Sequence, residues 1–299
     1  MRCRAPFCVL CALSWLSTGT GDSLWVRNEI RRPSKFRVLL WPGLGDACSS
    51  TGLVRLTDEV EARYGIDVLC IDQGAGGFLG NVDEQIGEVC GELASSLARG
   101  DAGMGYPMGY LGFSQGGLFL RILLQRCDSL PAGPLVTLGA PHAGVTSWPS
   151  CPVAEPSSWF CSLMDALVIE DLGMTSLARS HIIPAAYLYS RDVSAPLLDA
   201  ANSCDSHLPG LGRLRDKATV FAAFSFEDDA VLEPPESAWF GRWNGRSVVG
   251  FEDQDQLGCL NEVNFERKVV PGAAHMQLDE AFFFGGVMER YFVPMNTVT

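Results

Sequence analysis

The sequence predicts an α/β protein with a mostly parallel central sheet flanked by helices. Short apolar runs alternate along the chain with stretches whose apolar residues recur at helical spacing. The runs are nearly continuous, the pattern of strands buried on both faces. With 299 residues, 47% of them hydrophobic and 19% charged, the chain can bury a core large enough for such layers, and overall disorder is excluded.

Residues 36–41 form the first expected strand, closed by the turn-forming Pro42-Gly43-Leu44-Gly45. A helix is expected over 53–64, a second strand over 66–71 and a second helix over 82–98. Residues 109–113 read as a third strand that runs directly into a helix over 118–126. Strands over 134–138, 219–226 and 267–270 follow, and 278–292 reads as a closing apolar helix. Residues 143–217 break the alternation with Trp148, Cys151, Cys161 and a Pro/Gly/Ser-containing end. They read as a helical cap inserted over the sheet, not as a second folding unit.

Arg2 and Arg4 precede the apolar stretch 7–16, and small residues occupy 17–21. That order predicts a secretory signal peptide over 1–21, cleaved near 19–21, leaving 22–299 as a single domain. The apolar stretch falls short of the ~20 residues a membrane span needs, and no later run reaches that length. The expectation is therefore no stable membrane span. The balance of 22 Lys+Arg against 35 Asp+Glu gives a net charge of −13, which excludes broad nucleic-acid contact because counterion replacement needs a basic surface. Of the cysteines, Cys48, Cys70, Cys90, Cys127, Cys151, Cys161, Cys204 and Cys259 lie beyond the signal segment, and their even number predicts disulfides. No C-x-x-C occurs among residues 22–299, so no metal site is expected.

Gly112-Phe113-Ser114-Gln115-Gly116 matches the pattern G-x-S-x-G, set between an apolar strand and an apolar helix. So sharp a turn requires small neighbours and presents the Ser114 hydroxyl at the carboxyl edge of the sheet, above a helix N-terminus that favours negative charge. A serine hydroxyl is a weak nucleophile until a base takes its proton. In α/β-hydrolases that base follows the acid in chain order. His275, in the loop between the last strand and the closing helix, fits that place. His142 is the next candidate or lines the entrance, and by default His142, His181 and His207 all read as surface or hydrogen-bonded structural histidines. The acid belongs just after the fifth strand, where Glu227, Asp228 and Asp229 are adjacent. Asp229 is the first choice and Asp228 its competitor. Backbone N–H groups of Leu44, in the glycine turn after the first strand, and of Gln115 are placed to hold an oxyanion.

Several stretches together resemble the palmitoyl-protein thioesterases over nearly all the chain beyond the signal segment. They are Trp41-Pro-Gly-Leu-Gly-Asp46, Gly112-Phe-Ser-Gln-Gly-Gly-Leu-Phe-Leu-Arg121 and Gln125-Arg-Cys127, then His142-Ala-Gly-Val145 with Cys151, Trp239-Phe-Gly241 and His275-Met-Gln-Leu278. The resemblance implies an α/β-hydrolase fold with nucleophile Ser114, base His275 and oxyanion donors Leu44 and Gln115. It selects Asp229 by its distance before Trp239, and it implies disulfides Cys90–Cys127 and Cys151–Cys161. The pairing of Cys48, Cys70, Cys204 and Cys259 stays open.

The implied activity is hydrolysis of long-chain acyl thioesters on S-acylated proteins or peptides, without cofactor. A lipase or carboxylesterase acting on oxyesters is the rival enzyme, and a catalytically silent lipid-binding protein the rival of another class. This chain departs from the family in having Pro42 where a histidine is typical. It also has Cys48-Ser49 in place of paired cysteines, a short segment over 245–250 and no N-glycosylation sequon. The implied location is the secretory pathway, ending in a lysosome-like compartment or in secretion.

Overall fold

The computed structural model describes residues 25–26, 36–71, 77–99, 107–147, 175–190, 193–205 and 207–297. Its centre is a seven-stranded sheet. The strands are β1 (Trp25–Val26), β2 (Arg37–Trp41), β3 (Asp67–Ile71), β4 (Met108–Phe113), β5 (Gly133–Leu138), β6 (Ala218–Phe226) and, after a separate hairpin of β7 (Arg242–Trp243) and β8 (Val248–Val249), β9 (Phe265–Val270). The order across the sheet is β1-β3-β2-β4-β5-β6-β9. Only β1 runs antiparallel to its neighbour; every other pairing in this sheet is parallel. All six strands expected from the apolar runs are present. The two-residue β1 and the β7–β8 hairpin are too short to show a period in sequence. β9 begins at Phe265, earlier than its apolar run, because an edge strand carries half-exposed charged residues such as Glu266 and Lys268.

Successive side chains of each strand feed opposite layers. Leu39, Trp41 and Tyr110 face one side, packed with Ile86, Val89 and Leu93 of helix α2 (Val82–Ala98) and with Phe119 and Leu123 of helix α3 (Gln115–Arg126). Val38, Leu40, Leu111 and Phe113 face the other, against Leu53 and Val60 of helix α1 (Thr51–Tyr64) and Phe283, Val287 and Phe292 of the closing helix, Ala281–Phe292. Covering both faces explains why the strands read as unbroken apolar runs.

Helix ends follow local capping chemistry. Ser50 caps α1 by accepting from the Leu53 N–H, so the helix starts ahead of its first apolar residue. Asn81 accepts from Asp83 and Glu84 at the start of α2. Helix α3 begins at Gln115, earlier than expected, because Gly116 and Gly117 belong to its first turn. Between β5 and β6 the described residues hold extra helical segments, including α4 (Ser176–His181), the 3-10 turn Ile183–Tyr187 and α5 (Pro196–Ala201). Trp148 and Cys151–Cys161 lie outside the described residues, as does the expected signal segment 1–21. No helix among the described residues is long and apolar enough to cross a membrane. This architecture is the α/β-hydrolase fold.

Candidate active site

Ser114 sits where the central strand β4 turns into α3, with φ 48° and ψ −123°. A non-glycine residue in that region is strained, and such strain persists only where the surroundings over-determine it. Here the Ser114 N–H donates to the Leu138 carbonyl at 2.8 Å, and its own carbonyl accepts from the Gly117 N–H at 2.9 Å. The turn is also tight enough to demand glycine on the helix side. A Cβ at Gly116 would lie 2.3 Å from the carbonyl oxygens of both Trp41 and Pro42. The first turn of α3 therefore packs directly on the end of β2, and Ser114 is held half-exposed at the sheet edge.

His275 reaches the same edge from the loop after β9. That loop is tied to the turn after β6: Glu227 N–H donates to Val270 O, Asp228 N–H to Ala273 O, and Gly272 N–H to Glu227 Oε2 at 2.7 Å. His275 Nε2 lies 3.0 Å from Ser114 Oγ, and its Nδ1 lies 2.7 Å from Asp229 Oδ2. The three neighbouring acids thus do three different things. Glu227 braces the histidine loop, Asp228 is exposed, and the Asp229 side chain is wholly buried against His275. Asp229 Oδ1 also accepts from the N–H groups of Val231 and Leu232 at 2.8 and 3.0 Å. Burial pushes this carboxyl up, but the His275 hydrogen bond and charge, with the Leu232 and Val231 N–H groups, outweigh it and hold the pKa below the ordinary aspartate value.

Leu44 and Gln115 flank Ser114. A Cβ built on Gly43 would lie 3.3 Å from Ser114 Cβ, so the turn carrying Leu44 runs alongside the serine. Gln115 is the first residue of α3, where a backbone N–H has no partner within its own helix. A Ser–His–Asp chain of hydrogen bonds can deprotonate the hydroxyl for attack on a carbonyl, and a backbone N–H at the start of a helix beside it can hold the negative charge that forms on the oxygen.

The other histidines stand apart. His142 does not line an entrance. It is fully buried, with Nε2 2.9 Å from Thr137 Oγ1 and its ring stacked on Phe240 at 5.1 Å. Burial, aided by the nearby Arg121 charge, pushes its pKa well below the ordinary histidine value. His181 and His207 are exposed. Disulfides join Cys48–Cys70, Cys90–Cys127 and Cys204–Cys259, the chemistry of an oxidising, secretory-type environment. Among the described residues no cluster of His, Cys, Asp or Glu is arranged to hold a metal ion.

A sequence profile described as palmitoyl protein thioesterase matches residues 37–207. The chain belongs to the palmitoyl protein thioesterase family. It stands with that family among the esterases and thioesterases of the α/β-hydrolase superfamily. A palmitoyl-protein thioesterase–dolichyl pyrophosphate phosphatase fusion of Schizosaccharomyces pombe is 30% identical, over 85% of this chain and 43% of the fusion. The chain thus spans under half of that relative's length. Palmitoyl-protein thioesterase 1 of Caenorhabditis elegans is 24% identical, over 89% of this chain and 95% of its own length. Among solved structures, an esterase of Pyrococcus furiosus superposes with a TM-score of 0.49 at 15% identity, over 89% of this chain and 84% of that one.

Two features of the site have no signature in sequence. Tyr187, from the segment between β5 and β6, donates its hydroxyl to Gln115 Oε1 at 2.8 Å. The buried Arg121 guanidinium donates to Ala201 O and Asn202 Oδ1, tying α3 to the end of α5. Both contacts join residues more than 70 positions apart, beyond the reach of local pattern.

Proposed function

We propose that the protein hydrolyses long-chain acyl thioesters, removing palmitate from cysteines of S-acylated proteins, with Ser114 as nucleophile, His275 as base and Asp229 as its partner. The observation that carries this reading is the unbroken hydrogen-bonded series Asp229–His275–Ser114, in a chain of this family. His275 Nε2 takes the Ser114 proton as Oγ attacks the thioester carbonyl carbon. The charge on the carbonyl oxygen is held by the N–H groups of Leu44 and Gln115. Collapse breaks the C–S bond, and the departing sulfur receives the proton from His275. A cysteine thiol has a pKa near ~8.5, so this leaving group needs less protonation than an alkoxide. Water, deprotonated by His275, then cleaves the acyl-enzyme and releases the fatty acid and free Ser114. Asp229 keeps the imidazole oriented and stabilises its cationic form throughout.

The same reading includes a signal peptide over 1–21 and passage through the secretory pathway, to a lysosome-like compartment or out of the cell. The disulfides support an oxidising destination. The decisive experiment compares palmitoyl thioester with the matched palmitoyl oxyester on the purified protein, with Ser114→Ala as control. A strong Ser114-dependent preference for the thioester is expected. Preference for the oxyester would reassign the protein as a lipase or carboxylesterase.

A further inference from the structure

The side chain of Gln115, whose backbone N–H flanks Ser114, is buried and gripped at both ends. Its Nε2 donates to the Gly77 carbonyl at 2.9 Å, and its Oε1 accepts from the Tyr187 hydroxyl at 2.8 Å. The residues that follow Gly77 are themselves pinned to the region between β5 and β6. The Ile183 N–H donates to Phe78 O at 3.0 Å, and the Gly80 N–H to His181 O at 2.9 Å. Phe78 also lies beneath the other flank, since a Cβ on Gly45 would sit 3.6 Å from its ring. Tyr187 is held in turn, its ring packed edge-on against Phe119 of α3 and its carbonyl accepting from the Val145 N–H.

We infer that Tyr187 is a positioning residue for the oxyanion donors: through Gln115 and the 77–80 segment, the region between β5 and β6 sets where the N–H groups of Gln115 and Leu44 lie. The inference rests on the reading of Ser114 and of those N–H groups given above. The physical reason is that an oxyanion donor is effective only when already in place as charge develops. A side chain satisfied at both ends by fixed partners locks its own backbone at the first turn of α3. Replacing the tyrosine hydroxyl by hydrogen keeps the ring packing and frees one end of Gln115, leaving a buried carbonyl oxygen without its donor.

The test uses Tyr187→Phe in the full chain, with Gln115→Met, which loses both bonds, as a second variant. Three quantities are read: kcat and KM on a palmitoyl thioester, inhibition by a palmitoyl trifluoromethyl ketone, and the affinity of a non-hydrolysable palmitoyl thioether. The ketone forms an oxyanion with Ser114, whereas the thioether reports ground-state binding alone. For Tyr187→Phe, kcat is expected to fall about tenfold, a fraction of the ~10²–10³ lost when a whole oxyanion donor is removed. The ketone should weaken by the same factor as kcat/KM, and KM and thioether affinity should stay within about twofold, as expected for an interaction made only in the transition state. Gln115→Met should show the same split, more strongly. Unchanged kcat and ketone inhibition in a folded variant would overturn the inference, as would equal losses in ketone and thioether binding. If Ser114→Ala kept its activity, the reading of the site itself would fail, and that outcome is separate from either of these.

Discussion

Gly139→Ala isolates how closely the hydrolytic geometry depends on the place of the His275 ring. Gly139 follows β5 with φ 59°, and a Cβ there would lie 2.9 Å from His275 Cε1 and 3.0 Å from Phe226 Cε2. Ordinary carbon–carbon contact is about 3.5–4.0 Å, so the methyl needs roughly 0.6 Å of relief. Phe226 closes one side, so the imidazole must give way. A ring shift of that size is enough to take the 3.0 Å Nε2–Oγ separation beyond hydrogen-bond length. A misplacement of ~1 Å costs up to about 10²-fold in rate, so kcat/KM should fall about 10- to 100-fold. The left-handed backbone adds strain of about 1–3 kcal/mol, lowering the melting temperature by about 2–6 °C in a chain of this size. Gly65→Ala is the matched control. Gly65 caps α1 with φ 65°, and nothing lies within 4 Å of its Cβ position. It carries the backbone strain without the contact, so it should lose some stability and keep its turnover. Steady-state kinetics on a thioester and thermal unfolding of both variants decide the matter. A Gly139→Ala enzyme with kcat/KM within twofold of wild type would mean that the added methyl leaves the His275 ring in place.

Ser114→Ala and His275→Ala are each expected to abolish hydrolysis while leaving the unfolding transition in place; more than a few per cent of activity in Ser114→Ala would reject the site assignment. Because the folded pKa of Asp229 is depressed, its contribution to stability is full above the ordinary carboxyl range near ~4 and is lost as pH falls from there through the folded value. Denaturant unfolding from pH 6 to pH 2 should therefore show a loss that is smaller in Asp229→Asn, and parallel curves for the two proteins would contradict this. Replacing Cys204 and Cys259 together by serine opens a cross-link between residues 55 apart, for which chain-entropy arguments give a loss of about 4 kcal/mol, read as a fall in the denaturation midpoint.

The strands were legible because a parallel sheet covered on both faces needs continuous apolar runs, and β2, β4 and β5 are buried at every position. The elbow was legible because its backbone demands small residues at fixed offsets around Ser114. The start of α3 was misplaced because glycine is a poor helix former in isolation, whereas here the absence of a side chain at Gly116 is what lets the helix meet β2.

Local sequence thus determined the layering, the place of Ser114 and the loop that carries His275, since each depends on residues next to one another in the chain. By local pattern alone it ranked Asp229 only narrowly above Asp228, and it left open how Cys48, Cys70, Cys204 and Cys259 pair. It also left His142 open between the entrance and a hydrogen-bonded structural place, and assigned Tyr187 no part. Those were decided by contacts between distant segments. The loops after β6 and β9 hydrogen-bond to each other and leave only Asp229 buried against His275. The region between β5 and β6 folds back until Tyr187 meets Gln115. A neighbouring residue type is a property of the chain, but the partner of a buried polar group exists only once the layers have packed.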